Sequence, residues 1–306
     1  MLQNILFPIC FLVALGALLR KTGFINAQFV KSGTEFMYRL LLPAYFFLII
    51  AGGRKFTLFD WRVYTAAATS IMIIFLAAHL LNYICKIPDE LSFAFTNSCY
   101  RFNVFLGIAF IFYVFNETVM HQFCIFLLFI IPVTDIFTVI GARITRKESA
   151  INGLKLGLYF KLIFLNPILL AGYLGLLASC LGISFGGYLN QSIKMLAAII
   201  SPMALILTGG ALIHPQVKSL SELSVVGVGL KTIVLPVLVY LFLQLLNSKA
   251  AVFRTVVPFF ALPLMLDRPI VKSAHTLRHD NTLPFSILSV VISFMSISLW
   301  LILLPG

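Results

Sequence analysis

The run Thr96-Asn97-Ser98-Cys99-Tyr100-Arg101-Phe102-Asn103 sets amide, hydroxyl, thiol and guanidinium groups side by side within an apolar stretch. Such groups can hydrogen-bond a polar solute, and the guanidinium can pair with a carboxylate. A second run, PFFALPLMLDRPIVKSAH, carries Asp267-Arg268 between Pro263 and Pro269, with Pro258 upstream. Proline removes a backbone donor and strands a carbonyl, so this spacing predicts an interrupted helix. A third position, Asp135 in IIPVTDIFTVIG, is a carboxylate well inside an unbroken apolar run. Three roles are open to it: proton carrier, cation ligand, or static partner of Arg101 or Arg268. Polar groups at such depth are costly in lipid and point to function by default. No Ser/His or Asp/Asp constellation, HExxH or phosphate-cradling glycine loop accompanies them, and no CxxC occurs among the five cysteines. The sequence therefore predicts no enzyme, no metal site and no cofactor.

The elements that must position these residues are membrane spans. Of 306 residues, 61% are hydrophobic and 10% charged, with a mean hydropathy of +1.05. A soluble domain cannot cover so much apolar surface, whereas a lipid-facing exterior needs no cover. A bilayer core of ~30 Å takes about 20 helical residues. That ruler places spans near 4–19, 32–53, 63–84, 91–114, 120–142, 163–183, 189–212, 222–246, 252–276 and 283–304. The first follows Met1 directly and ends in Arg20-Lys21, so it reads as a span and not as a cleaved signal. Residues 154–164, with Lys155 and Lys161, read as an amphipathic segment lying at the interface. By the same ruler Arg101 lies roughly 16 Å deep, near the midplane. Asn97 and Asn103 share its segment. Lys194 and Lys231 stand near enough to span ends to snorkel.

The net charge of +12 is scattered over short loops with no basic face, which excludes nucleic acid as a partner. Thirteen loop Lys/Arg fall after odd-numbered spans and five after even-numbered ones. The asymmetry puts both termini on the outer side. The second span, LLLPAYFFLIIAGG, and the seventh, IISPMALILTGG, each carry a proline followed by Gly-Gly. Five spans separate them, so the second copy must be inverted in the membrane, a hallmark of secondary transporters. The expected layout is a first repeat at 1–145, a cytoplasmic loop and interfacial segment at 146–162, and an inverted repeat at 163–306. Pro43, Pro202 and Pro269 are the expected helix breaks.

In their order and spacing, these fragments resemble the auxin efflux carrier family, whose bacterial branch includes malonate and malate permease-like proteins. The resemblance rests on FPICFLVALGALLRKTGFIN, Leu42-Pro43-Ala44, YRFNVFLGIAF and Pro132-Val133-Thr134-Asp135. It continues through Asn166-Pro167-Ile168, SPMALILTGGAL, LKTIVLPVLVY and Ala261-Leu262-Pro263. It implies an all-α membrane protein of ten transmembrane helices, arranged as two inverted five-helix repeats. The fourth and ninth helices would be broken and cross where substrate binds. Helices 1, 2, 6 and 7 would form a scaffold for the other six. Asn103 then matches the family's asparagine at the fourth-span break, Pro263 the proline of the ninth, and Arg101 the arginine preceding that asparagine.

Three departures stand out. Phe105 replaces a glycine, Asp135 stands where asparagine is expected, and Leu264–Arg268 replace small or hydroxylated residues. The expectation is a permease or efflux carrier of the bacterial inner membrane, moving a small organic anion such as a dicarboxylate. Arg101, Asn103, Asn97, Pro263, Asp267 and Arg268 would bind it, and Asp135 would couple protons or another cation. The alternatives are an uncoupled channel or uniporter, and a non-transporting membrane partner or sensor of the same fold. A homodimer is one assembly open to such a chain.

Overall fold

The computed structural model describes residues 2–52, 60–115, 117–145, 165–183, 187–213, 222–264 and 283–304. Among them all regular secondary structure is helical. The helices are α1 (Leu2–Lys21), α2 (Ala27–Gly52), α3 (Trp61–Ile84), α4 (Asp89–Tyr100) and α5 (Val104–Val114). They continue as α6 (Glu117–Thr145), α7 (Pro167–Cys180), α8 (Gly187–Leu212) and α9 (Glu222–Leu245). The last two are α10 (Ala250–Phe260) and α11 (Leu283–Leu303). Five of them, α2, α3, α6, α8 and α9, are long and apolar enough to cross a membrane. Large apolar side chains such as Leu245 (74% exposed) and Met295 (70%) point outward. In water such an exterior would be a liability, and in lipid it is the solvent-matched surface. The chain is an all-α membrane protein.

Helix starts follow local chemistry. Asn26 accepts a hydrogen bond from the Phe29 N–H at 2.7 Å and so caps α2. Asn166 accepts from Ile168 N–H at 3.0 Å, with Pro167 opening α7 where its missing donor costs nothing. Two of the expected proline breaks are absent. At Pro43 the helix stays continuous by widening into a π turn over Met37–Leu41, which gives the ring room against the preceding turn. Pro202 lies inside α8 without interrupting it. Pro269 and the interfacial segment at 154–164 lie outside the described residues.

The chain forms two compact units, each assembled from segments of both sequence halves. The first comprises Met1–Phe59, Val104–Phe129 and Phe164–Ile213; the second comprises Asp60–Asn103, Ile130–Ile163 and His214–Gly306. In the first unit α1 packs along α8, and α2 packs along α7. The α1–α8 seam is a backbone-to-backbone approach: a Cβ on Gly209 would collide with the Val13 carbonyl oxygen, and one on Gly16 with that of Ile206. Gly52, the residue that looks equivalent in the second span, meets no described atom within 4 Å. Gly52 and Gly209 therefore differ in what they meet among the described residues.

In the second unit α9 packs against α3, α4, α10 and α11. This unit holds nearly all the buried polarity. Among the described residues, only His121, Asn166, Ser201 and Thr208 are buried polar side chains outside it.

Candidate functional site

The fourth span is interrupted at Arg101–Asn103. Tyr100 ends α4, Arg101 turns to extended backbone (φ −72°, ψ 148°), and α5 begins at Val104. Within α4 the polar side chains are satisfied first by their own helix. Thr96 Oγ1 donates to Ser92 O at 2.8 Å, Asn97 Nδ2 to Phe93 O at 2.8 Å, and Ser98 Oγ to Phe95 O at 2.6 Å. This lets a polar sequence stay helical in the absence of water.

What remains is aimed at the neighbouring helices: Thr96 Oγ1 accepts from Asn82 Nδ2 of α3 at 2.8 Å, and Tyr100 faces α6. Asn97 Oδ1 accepts from the Tyr100 hydroxyl at 3.2 Å, and that hydroxyl lies 3.3 Å from Thr138 Oγ1. Arg101 and Asp135 both act electrostatically on Tyr100. Arg101, Asn103, Asn97 and Asp135 are all buried. Asp135 lies three residues before Thr138 on α6, buried in the same unit as the interrupted helix.

The ninth span also stops being helical. After Phe260, residues Ala261–Leu264 continue as a turn, a bend and irregular backbone. The Ala261 N–H donates to Pro258 O at 3.1 Å and Leu262 N–H to Phe259 O at 3.1 Å, which uses two of the last carbonyls of α10. The Leu264 N–H donates to Ser289 Oγ of α11 at 3.2 Å.

The two interruptions touch. Asn103 N–H donates to Pro263 O at 2.8 Å, and the rings of Phe102 and Phe259 pack edge to face at 4.7 Å between centroids. Two segments that have each left their helix satisfy one another's backbone. Irregular backbone at membrane depth requires such a partner.

The structure adds one residue that the sequence reading assigned elsewhere. Lys231 does not snorkel. It is fully buried, the tenth residue of the 24-residue α9, and its Nζ donates to Phe260 O at 2.6 Å. The ammonium also lies 6.0 Å from the centroid of the Phe102 ring. The reason is local: Lys231 sits in a π turn, Leu230–Val234, placed just before Leu235-Pro236. Pro236 has no N–H to offer the Thr232 carbonyl, and Ser296 Oγ of α11 donates to that carbonyl instead at 2.6 Å. The available signal was a lysine about 14 Å from its helix start, followed four residues later by Leu-Pro.

Of the expected site residues, Arg101, Asn103, Asn97 and Pro263 come together in the second unit, where Asp135 is also buried. Asp267 and Arg268 lie outside the described residues. The arrangement offers buried hydroxyl and amide groups, two basic side chains and two irregular backbone segments. That combination can bind a small polar or anionic solute. Among the described residues, no three His, Cys, Asp or Glu side chains converge as metal ligands do. Compared with known proteins, the chain matches no family model and no curated sequence.

Proposed function

We propose that this protein is a secondary active transporter of small organic anions, a permease or efflux carrier with the fold of the auxin efflux carrier family. In this reading ten spans form two inverted five-span repeats in a bacterial plasma membrane, with both termini outside. The fourth and ninth spans are the broken, crossing pair, and the substrate is held there during alternating access. The observation that carries the reading is the hydrogen bond from Asn103 N–H to Pro263 O, at 2.8 Å between two segments that have left their helices. Two buried basic residues, Arg101 and Lys231, stand at that junction. Positive charge at a desolvated site selects an anion, and a dicarboxylate such as malonate or malate matches a guanidinium through paired hydrogen bonds. Asp135, buried near Arg101 through Tyr100, is the group that couples protons or another cation to the cycle.

The experiment is uptake of labelled malonate or malate by purified protein in liposomes, under an imposed pH gradient or membrane potential. Wild type accumulates the anion against its gradient, and Arg101→Ala loses this. Equal uptake by the two proteins removes Arg101 from the site. Flux that ignores every imposed gradient turns the assignment to an uncoupled uniporter.

A further inference from the structure

The end of a helix in lipid poses a defined electrostatic problem. Its last carbonyls have no intrahelical donor, carry the negative pole of the helix dipole, and find no water. Of the last carbonyls of α10, those of Pro258 and Phe259 accept from the N–H groups of the following turn, and Phe260 O accepts from Lys231 Nζ. The donor that completes this end is a lysine side chain, supplied by another helix.

Three features indicate that Lys231 is built for this place. Its side chain is fully buried, and it lies in a π turn, a helix irregularity frequent at functional sites. The carbonyl of the next residue, Thr232, is satisfied by Ser296, so the irregular turn is itself supported. Among the described residues no carboxylate lies within ion-pair distance of Lys231. Among the described residues its Nζ meets the Phe260 carbonyl and the Phe102 ring, and both belong to the two interruptions.

Pro263 follows Phe260 by three residues, and Asn103 follows Phe102 by one. The ammonium is thus positioned to act on both sides of the Asn103–Pro263 contact.

We propose that Lys231 is a fixed cation of the ninth-span break. It holds the carbonyl end of α10, sets the Ala261–Leu264 segment against Asn103, and supplies positive charge that raises affinity for the anion. It is a positioning residue, and its effect on affinity rests on the transport reading above. Its role at the helix end does not.

The test compares wild type with Lys231→Met, which keeps length without charge, and with Lys231→Ala, which leaves space for a free amine. Propylammonium restores the removed atoms together with the charge. n-Propanol fills the space and donates a hydrogen bond but carries no charge. Lys231→Met is expected to lower Tm by about 2–4 °C and to raise the anion concentration for half-maximal uptake about tenfold or more. Its maximal rate falls less. Propylammonium raises the Tm of Lys231→Ala and restores its uptake, whereas propanol restores neither and wild type responds to neither.

If Lys231→Ala is recovered only when propylammonium is present during extraction, that is the same rescue. If it is not recovered at all, Lys231→Met decides. The proposal is overturned if Lys231→Met matches wild type in both readouts, or if propanol rescues Lys231→Ala as well as the amine does. Should wild type move no anion, the transport reading falls and the Tm arm decides alone. Rescue by propylammonium then upholds the fixed cation, and its absence overturns it.

Discussion

Gly52 and Gly209 each open the Gly-Gly pair of two similar sequence fragments, nine and seven residues after the proline, and the structure assigns them opposite responses to the same substitution. In Gly209→Ala the new Cβ would overlap the Val13 carbonyl oxygen and lie 2.8 Å from Val13 C and 2.9 Å from Ala17 N. All three are backbone atoms of α1, so no rotamer change relieves the clash, and α1 and α8 must move apart. Overpacking of this kind costs about 1–3 kcal/mol, and backbone neighbours put it at the upper end. On the scale of large domains, about 3 kcal/mol lowers Tm by roughly 6–12 °C. Gly16→Ala, whose Cβ would meet Ile206 from the other side of the seam, should cost a similar amount. The double variant should cost less than the sum, since helices already separated accommodate the second methyl. Gly52→Ala adds a methyl that meets no described atom within 4 Å, at a helix end. It should leave stability unchanged or raise it by up to about 1 kcal/mol. The assay is thermal unfolding of detergent-purified variants, followed by tryptophan fluorescence and by loss of the monodisperse peak. A Gly209→Ala protein within 1 °C (roughly, the error of the measurement on this scale) of wild type would refute the backbone-to-backbone seam.

Three further outcomes follow from the polar contacts. Ser296→Ala strands the Thr232 carbonyl and should cost about 0.6–1.7 kcal/mol, the range for hydrogen bonds inside membranes. Combined with Pro236→Ala, which returns an N–H to that carbonyl, the cost should shrink; equal costs in both backgrounds would sink the assignment. Asn103→Ala should keep the contact between the two breaks because the donor is backbone, so whatever stability it loses belongs to the buried side chain alone. Asn103→Pro removes the donor and should lose about 1 kcal/mol or more; thermal unfolding of the pair separates backbone from side chain. In liposomes, Asp135→Asn should abolish the response of anion uptake to an imposed pH gradient while leaving exchange of anion for anion. Unchanged gradient response would remove Asp135 from coupling.

How much was legible in the sequence differs sharply from residue to residue. Helix limits were expected at 63–84 and 222–246 and lie at Trp61–Ile84 and Glu222–Leu245, because apolar runs and caps are local signals. The interruption at Arg101–Asn103 announced itself through amide and guanidinium groups packed into one apolar stretch. Pro43 and Pro202 gave the opposite lesson. A proline states that one hydrogen bond is missing, but whether the helix breaks, widens or carries on depends on what stands beside it. Glu35 and Arg39 have the i, i+4 spacing of an ion pair, yet both are exposed and unbridged, with the π turn beginning between them. Lys231 was the largest miss. Depth along a helix can be counted from sequence, but the direction of a side chain around the helix cannot once a π turn alters the phase.

Composition and spacing alone therefore determined that this is a helical membrane protein, roughly where its helices lie, and which segment carries too much polarity for lipid. These follow from one-dimensional quantities: hydrophobic length, charge density and proline position. Only the tertiary structure decided that Asn103 meets Pro263, that Lys231 completes the end of α10, and that Gly209 is a close contact while Gly52 meets no described atom. Each of these is a relation between residues distant in the chain, set by helix rotation and by which backbone groups find no partner in their own helix.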